Sequence, residues 1–305
     1  SSRREALSAL GSTSGSYSRG YRNTLASRYA NVFLYTLLYD PERTLNKFEG
    51  KVAGTSFLDI PPVKKRHRLF IPLMPLASRM VKAADDYDII ISSSAGYAKG
   101  FGKVSKEIFH VCYCHSPLRY AWEARYLGNL PFAPNALTNT LGKFIAARMR
   151  KWDRDASERV NVFVANSTFI KDKIKSYYGR DAEVVHPPVD IGVFYPDMEA
   201  GNSSGGLNSG AEYYLMVGRL IYYKLFSLGI EACRQLRLPL KIVGAGPEER
   251  MIKKSAGGNV EFIRGADDDE LRALYSNAKA LIFPCLLYTS PSPRDLSTSR
   301  MPSSA

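Results

Sequence analysis

The chain has 305 residues, 45% hydrophobic and 23% charged, and 42 Lys and Arg against 29 Asp and Glu give it a formal net charge of +13. That composition excludes a disordered or fibrous chain, the length suits two domains, and the charge points to anionic partners: nucleic acid, an acidic membrane surface or phosphorylated ligands. The 4 cysteines lack metal-ligand spacing, and Cys112 and Cys114 lie in an apolar run, as reduced core residues of a cytosolic protein do. No signal peptide is read and no apolar run approaches the length of a membrane span.

Residues 1–24 are rich in Ser, Gly and Arg, carry no strand pattern, and are expected to be disordered. From Leu25 onward the pattern becomes regular. Residues 32–39 (VFLYTLLY) read as a strand closed by Asp40-Pro41, and 51–57 as a second, shorter one. In 61–84 a basic cluster, Lys64-Lys65-Arg66-His67-Arg68, precedes LFIPLMPLASRMVKA. This segment reads either as a helix lying on an anionic bilayer or as a core helix with a solvated basic end. Residues 88–91 (DIII) and 109–114 (FHVCYC) are strands, the second opening into His115-Ser116-Pro117-Leu118-Arg119-Tyr120-Ala121-Trp122-Glu123. In 141–156 Leu141, Ile145, Met149, Trp152 and Ala156 share a helical face. Strand 162–165 leads to Asn166-Ser167, an N-cap for a helix over 169–178, and 184–185 and 189–194 follow as extended pieces. The alternation predicts a doubly wound parallel sheet over residues 25–196.

Residues 197–211 (DMEAGNSSGGLNSGA) have linker composition, and a second domain is read over 212–284. Its first strand, 214–217, stops at Gly218, which puts Arg219 and Lys224 on the loop leaving the strand's carboxyl end. In open α/β sheets ligands gather at that edge. A helix over 225–236 and a strand over 240–243 lead into Gly244-Ala245-Gly246-Pro247, where glycines allow close backbone approach and the next helix offers its positive end to an anion. Two cations beside such a turn suit a diphosphate, although a Gly-x-Gly turn is also a plain connection. Strand 260–263, helix 267–278 and strand 280–283 complete this domain, with Asp267-Asp268-Asp269-Glu270 complementing a helix dipole rather than binding metal. The Ser/Pro-rich residues 285–305 interrupt the pattern and leave the second sheet incomplete; they are expected to be non-native.

These stretches together resemble retaining nucleotide-sugar glycosyltransferases of the GT-B fold, in the large family of bacterial mannosyl- and glucosyltransferases (family 4), above all O-antigen and capsule mannosyltransferases. The resemblance is carried by YTLLYDPERT at 35–44, HVCYCHSPLRYAWE at 110–123, FVANSTFIKDKIKSYYGRDAEVVHPPVDIGVF at 163–194, MVGRLIYYK at 216–224, KIVGAGPEER at 241–250 and NVEFIRGADDDELRALYSNAKALIFP at 259–284. It implies two Rossmann-like domains facing a cleft. It also implies transfer of a hexose, mannose from GDP-mannose, with retention, to a lipid-linked oligosaccharide or polysaccharide. Arg219 and Lys224 would hold the donor diphosphate without a metal or other cofactor, and His115 would sit near the transferred sugar. Gly218, Gly244, Gly246, Pro247, Ile263, Arg264 and Gly265 would line the nucleotide side.

The likeness is broken in places. The opening strand and Gly-Gly loop of the family are not legible in 1–24, Leu225 stands where Lys-Arg is common, and no pair of glutamates follows Pro284. The tail LYTSPSPRD…MPSSA is similar to translated sequencing-adapter sequence at the ends of metagenomic genes, so the parent enzyme is expected to be active and this chain inactive. Other readings stay open at this level: His115 as a hydrogen-bonded core histidine, Arg219 and Lys224 as solvated loop charge, Trp122 as packing. The whole chain also reads as a non-catalytic protein binding anionic membrane or nucleic acid, though no nucleic-acid recognition motif is seen, or as a sugar-nucleotide epimerase or phosphorylase on the same fold. A cytoplasmic protein, with peripheral contact to the inner face of the membrane, is expected.

Overall fold

In a computed structural model of the chain the described residues are 6–10, 32–41, 50, 52–81, 87, 89–102, 108–123, 140–189, 191–195 and 213–285, with backbone alone for 6–10, 32, 68 and 141. They fall into two compact units, Ser1–Pro187 and Pro188–Ala305, so the division lies ahead of the one read at 196 from composition. The linker read over 197–211 and the tail from 286 lie outside the described residues.

The first unit is built on a parallel sheet of β1 (Ala6–Leu10), β2 (Val32–Thr36), β3 (Val52–Thr55), β4 (Ile89–Ser94), β5 (Phe109–Cys114), β6 (Val162–Ala165) and β7 (Ala182–Val184), in the order β3-β2-β1-β4-β5-β6-β7. β1 corrects the reading of 1–24 as lacking a strand. It pairs with β2 from Ala6↔Val32 to Leu10↔Thr36 and with β4 from Leu7↔Ile90 to Leu10↔Ser93. Alanine and serine are weak strand formers, and pairing on both edges overrides that local preference. The strand order reverses between β1 and β4, which opens a crevice at their carboxyl ends.

The described helices of this unit form and pack for reasons written in their sequences. Helix Thr140–Ser157 buries Ala146, Met149, Trp152 and Ala156. Helix Thr168–Tyr178 starts where the Ser167 side chain accepts from the Ile170 N–H and stops at Gly179, whose φ of 69° is left-handed. It sends Ile170 and Ile174 against Cys112, Cys114 and Phe163 of the sheet. The expected single helix over 61–84 is instead helix Pro61–Arg66, a 3-10 stretch His67–Leu73 and helix Met74–Met80. Pro72 lies inside the tight stretch and supplies no N–H, so a continuous α-helix cannot pass it. Residues 191–194, expected to be extended, form a turn.

The second unit repeats the plan in smaller form: β8 (Tyr213–Val217), β9 (Leu240–Val243), β10 (Val260–Ile263) and β11 (Ala278–Leu281), all parallel, in the order β10-β9-β8-β11. Helix Phe226–Gln235 and helix Glu249–Ser255 belong to a core with Met216, Leu220, Leu240 and Ile242, while helix Asp268–Asn277 places Leu274 against Tyr213, Leu215 and Val243. Apolar residues on both faces of each strand are what a covered parallel sheet requires. Among the described residues no helix is long and apolar enough to cross a membrane.

Candidate functional site

β8 ends at Val217, and the chain turns at Gly218 with φ +145°, a conformation L side chains rarely adopt. Arg219 follows and is exposed. A short 3-10 turn, Tyr222–Lys224, then carries Lys224 back over the start of the loop. A Cβ on residue 218 would lie 2.2 Å from the Lys224 Nζ, so glycine is what leaves room for the ammonium. The same Nζ lies 5.1 Å from the centre of the Phe283 ring, which comes just after β11. The sheet order reverses between β8 and β11, so both cations stand at the carboxyl-edge position where α/β sheets hold ligands. Leu225 completes the loop with φ 48° and ψ 43°, left-handed for a non-glycine residue and therefore strained.

The Gly-rich turn after β9 sits against this loop, backbone to backbone. A Cβ on Gly244 would lie 2.0 Å from the Gly218 carbonyl oxygen, and one on Gly246 would lie 2.2 Å from that of Leu220. The Gly218 N–H donates to Val243 O at 2.9 Å, Gly244 N–H to Ile263 O at 3.1 Å, and Leu220 N–H to Ala245 O at 3.1 Å. The two glycines thus let two loops close on each other, and the N–H groups of Gly218 and Gly244 continue the sheet ladder. Pro247 is exposed, and Glu248 and Glu249 occupy the start of the following helix. Arg264 pairs with that Glu249, its Nε donating to Oε1 at 2.7 Å. Lys253 and Arg264 together hold the Glu249 carboxyl below the usual carboxylate range. Gly265 turns with φ +69° in open space. Acid already complements this helix dipole, and Arg219 and Lys224 are the cations of the loop after β8.

In the first unit His115 directly follows β5, as expected. Its Nε2 lies 2.9 Å from the Ser93 hydroxyl at the end of β4, and its ring meets the Tyr113 ring edge-on at 5.0 Å. The backbone is fixed from both sides: His115 N–H donates to Ser94 O at 2.8 Å, and Asn166 Nδ2 donates to His115 O at 3.4 Å. The ring is half-buried at the carboxyl edge of the sheet, one strand from the β1/β4 reversal. His110, five positions back on the same strand, is the core histidine: it is buried, bonded to Ser92 Oγ at 2.8 Å, and its pKa is lowered to about 4, chiefly by loss of solvent.

Behind the His115 loop lies a buried polar centre that sequence reasoning missed. Asp153 pairs with Lys99 through Oδ1, and its Oδ2 accepts from Trp122 Nε1 at 2.8 Å, the Tyr178 hydroxyl at 2.6 Å and the Leu118 N–H at 3.4 Å. Lys99 also donates to Gly96 O at 2.7 Å. Trp122 stacks on Tyr177 at 4.5 Å and 3°, which places it in packing rather than in a ligand contact. One acid therefore ties the loop after β4, the His115–Trp122 loop and two helices together. The available signal was Asp153 itself, an acid four residues after Met149 on the apolar face of its helix. Ser93 and Phe283, partners of His115 and Lys224, carry no sequence signal of that kind.

Comparison with known proteins agrees with this architecture. Residues 16–193 match the family model for Glycosyltransferase Family 4, and residues 197–290 match that for glycosyl transferases group 1. Over 79 residues, 25% of this chain and 21% of the relative, the sequence is 32% identical to O-antigen chain mannosyltransferase C of Escherichia coli. A stretch of the same extent is 33% identical to D-rhamnosyltransferase WbpZ of Pseudomonas aeruginosa. The matched stretch spans about a fifth of the length of these curated relatives. Among solved structures, Anabaena HepE in complex with UDP superposes with a TM-score of 0.60 at 12% identity, covering 93% of this chain and 74% of that one. Sucrose-phosphate synthase from Thermosynechococcus elongatus gives 0.60 at 15%, covering 92% and 76%. At these identities the likeness is one of fold, the Rossmann-like GT-B architecture. With more than half of its residues under one family model, the chain belongs to Glycosyltransferase Family 4.

Proposed function

We propose that this chain is built for retaining transfer of a hexose, mannose from GDP-mannose, to a lipid-linked oligosaccharide or polysaccharide. The observation that carries the reading is the loop after β8, where Lys224 lies over Gly218 and beside Phe283, next to the exposed Arg219. Support for a nucleotide-sugar donor comes from Anabaena HepE, solved with UDP and, at a TM-score of 0.57, with UDP-glucose. The mannose assignment leans on the stretch similar to an O-antigen mannosyltransferase.

In this reading the bond between the sugar's anomeric carbon and the diphosphate oxygen breaks, and the bonding pair leaves with the nucleoside diphosphate. Arg219 and Lys224 stabilise the charge that develops there, which a preorganised cationic site does without moving. They supply that charge in place of a metal ion. The acceptor hydroxyl forms the new bond on the face the diphosphate leaves, and its proton passes to the departing phosphate oxygen. No protein nucleophile is needed for this front-face route. His115, held by Ser93, orients the sugar. Ile263, Arg264, Gly265 and the 244–247 turn take the nucleotide side.

The test is competitive binding of intact donors by calorimetry, which reads recognition apart from turnover. GDP-mannose is expected to bind more tightly than UDP-glucose. Preference for UDP-glucose would overturn the donor assignment, and binding of neither would overturn the nucleotide-sugar reading.

A further inference from the structure

The pairing of β11 with β8 runs one residue past Leu281: the Ile282 N–H donates to Leu215 O at 2.8 Å, and the chain then turns with the Cys285 N–H on Phe283 O at 2.8 Å. Phe283 is thereby fixed at the carboxyl end of β11, across the reversal of strand order from the loop after β8. Its neighbour Ile282 packs with Met216, Leu220 and Phe226, whereas the Phe283 ring stays 37% exposed and does not fill that core. The ring lies under the Lys224 ammonium, 5.1 Å from its centre and inside the ~6 Å reach of a cation–π contact. The absent Cβ of Gly218 leaves the room in which the ammonium sits.

We propose that Phe283 is a positioning residue for the donor diphosphate: its ring holds Lys224 in place while leaving the ammonium charged for the phosphates. The inference rests on the diphosphate reading of this loop and adds the device that keeps the cation both fixed and active. A lysine carries its charge on a flexible four-carbon stem, and ordering such a stem when a ligand arrives costs affinity. A carboxylate beside Lys224 would order it, but would also offset its charge and repel an incoming diphosphate. An aromatic face attracts the ammonium through its quadrupole and brings no negative charge. Because Phe283 continues the strand that pairs with β8, one sheet edge sets both the cation and the ring that holds it.

The experiment is a double-mutant cycle on the full chain, with GDP titrated by calorimetry into wild type, Phe283→Leu, Lys224→Met and the two combined. Phe283→Leu keeps apolar bulk and removes the ring. It is expected to weaken GDP binding about two- to fivefold, the strength of an exposed cation–π contact. In the Lys224→Met background the same change is expected to cost nothing, because the ring acts through the lysine. Phe283→Trp, with the best ring for a cation, should bind at least as well as wild type. A ring that only packs would weaken binding equally in both backgrounds, and that result overturns the proposal. A second measurement needs no nucleotide. In proton NMR of the free protein the Lys224 ε-CH2 signal should lie upfield in wild type, shielded by the ring, and move back in Phe283→Leu; a signal the substitution does not move overturns the proposal. GDP binding that is equal in wild type and Phe283→Leu sinks this inference and leaves the diphosphate reading standing. A wild type that binds no GDP sinks the diphosphate reading, and this role with it, whatever the NMR signal does.

Discussion

Lys99 and Asp153, separated by 54 positions in the chain, form an ion pair with side-chain exposures of 1% and 0%. Burial of two charges is costly, and removing one partner leaves the other uncompensated, typically at 3–5 kcal/mol. The two ends are not equivalent. Without Lys99, Asp153 keeps donors from Trp122, Tyr178 and Leu118; without Asp153, Lys99 keeps Gly96 O and those three donors lose an acceptor. Asp153→Ala is therefore expected to cost about 4 kcal/mol and Lys99→Met less, with the double variant cheaper than the sum. Denaturant unfolding of the three variants checks the order.

His110 gives a sign and a pH window. Its ring, buried beside Ser92 and near the positive Arg159, has its pKa lowered from 6.5 to about 4. The unfolded chain takes up this proton at higher pH than the folded one, so stability is full above pH 6.5 and falls as pH drops toward 4. The loss approaches about 3 kcal/mol at the lower end, at 1.36 kcal/mol per unit. His110→Gln removes the titration, and its unfolding free energy should fall less steeply between neutral pH and about pH 4.5. Parallel curves for the two proteins would contradict this.

Much of the fold was legible because buried parallel strands such as 109–114 and 214–217 read as short apolar runs. Helix 140–157 likewise showed its inward face through Met149, Trp152 and Ala156. β1 was not legible, because Ala6–Leu10 owes its strand state to pairing with β2 and β4 rather than to its own residues. The candidate site residues His115, Arg219 and Lys224 were legible as positions at strand ends. What holds them was not: Ser93 for His115, Phe283 and the absent Cβ of Gly218 for Lys224, and the Asp153 centre behind the His115 loop. Those contacts join residues far apart in sequence, and residue type alone carries no record of them.

Arg237 follows helix Phe226–Gln235 with φ 54°, the left-handed position that usually belongs to glycine. The residue is exposed, so its side chain contributes little packing. Arg237→Gly is expected to raise stability by about 0.5–1 kcal/mol, strain relief exceeding the added freedom of the unfolded chain. A lowered melting temperature would count against it.

Gly246 is the reverse case. Its φ is not the constraint; the Leu220 backbone is, with its oxygen 2.2 Å from where a Cβ would sit. Gly246→Ala must push two loops apart and is expected to cost about 1–3 kcal/mol. Because the loop it displaces carries Arg219, nucleotide affinity should fall with stability, which calorimetry and thermal melts read separately.

The most direct measurement is titration calorimetry with GDP, in the presence of EDTA, on wild type, Arg219→Ala, Lys224→Ala and the double variant. If the two cations clamp the diphosphate without a metal, wild type binds GDP with EDTA present. Each single change then weakens binding by about tenfold or more, as loss of a charged hydrogen bond does. Affinity equal in wild type and the double variant, or binding that vanishes with EDTA, would contradict it.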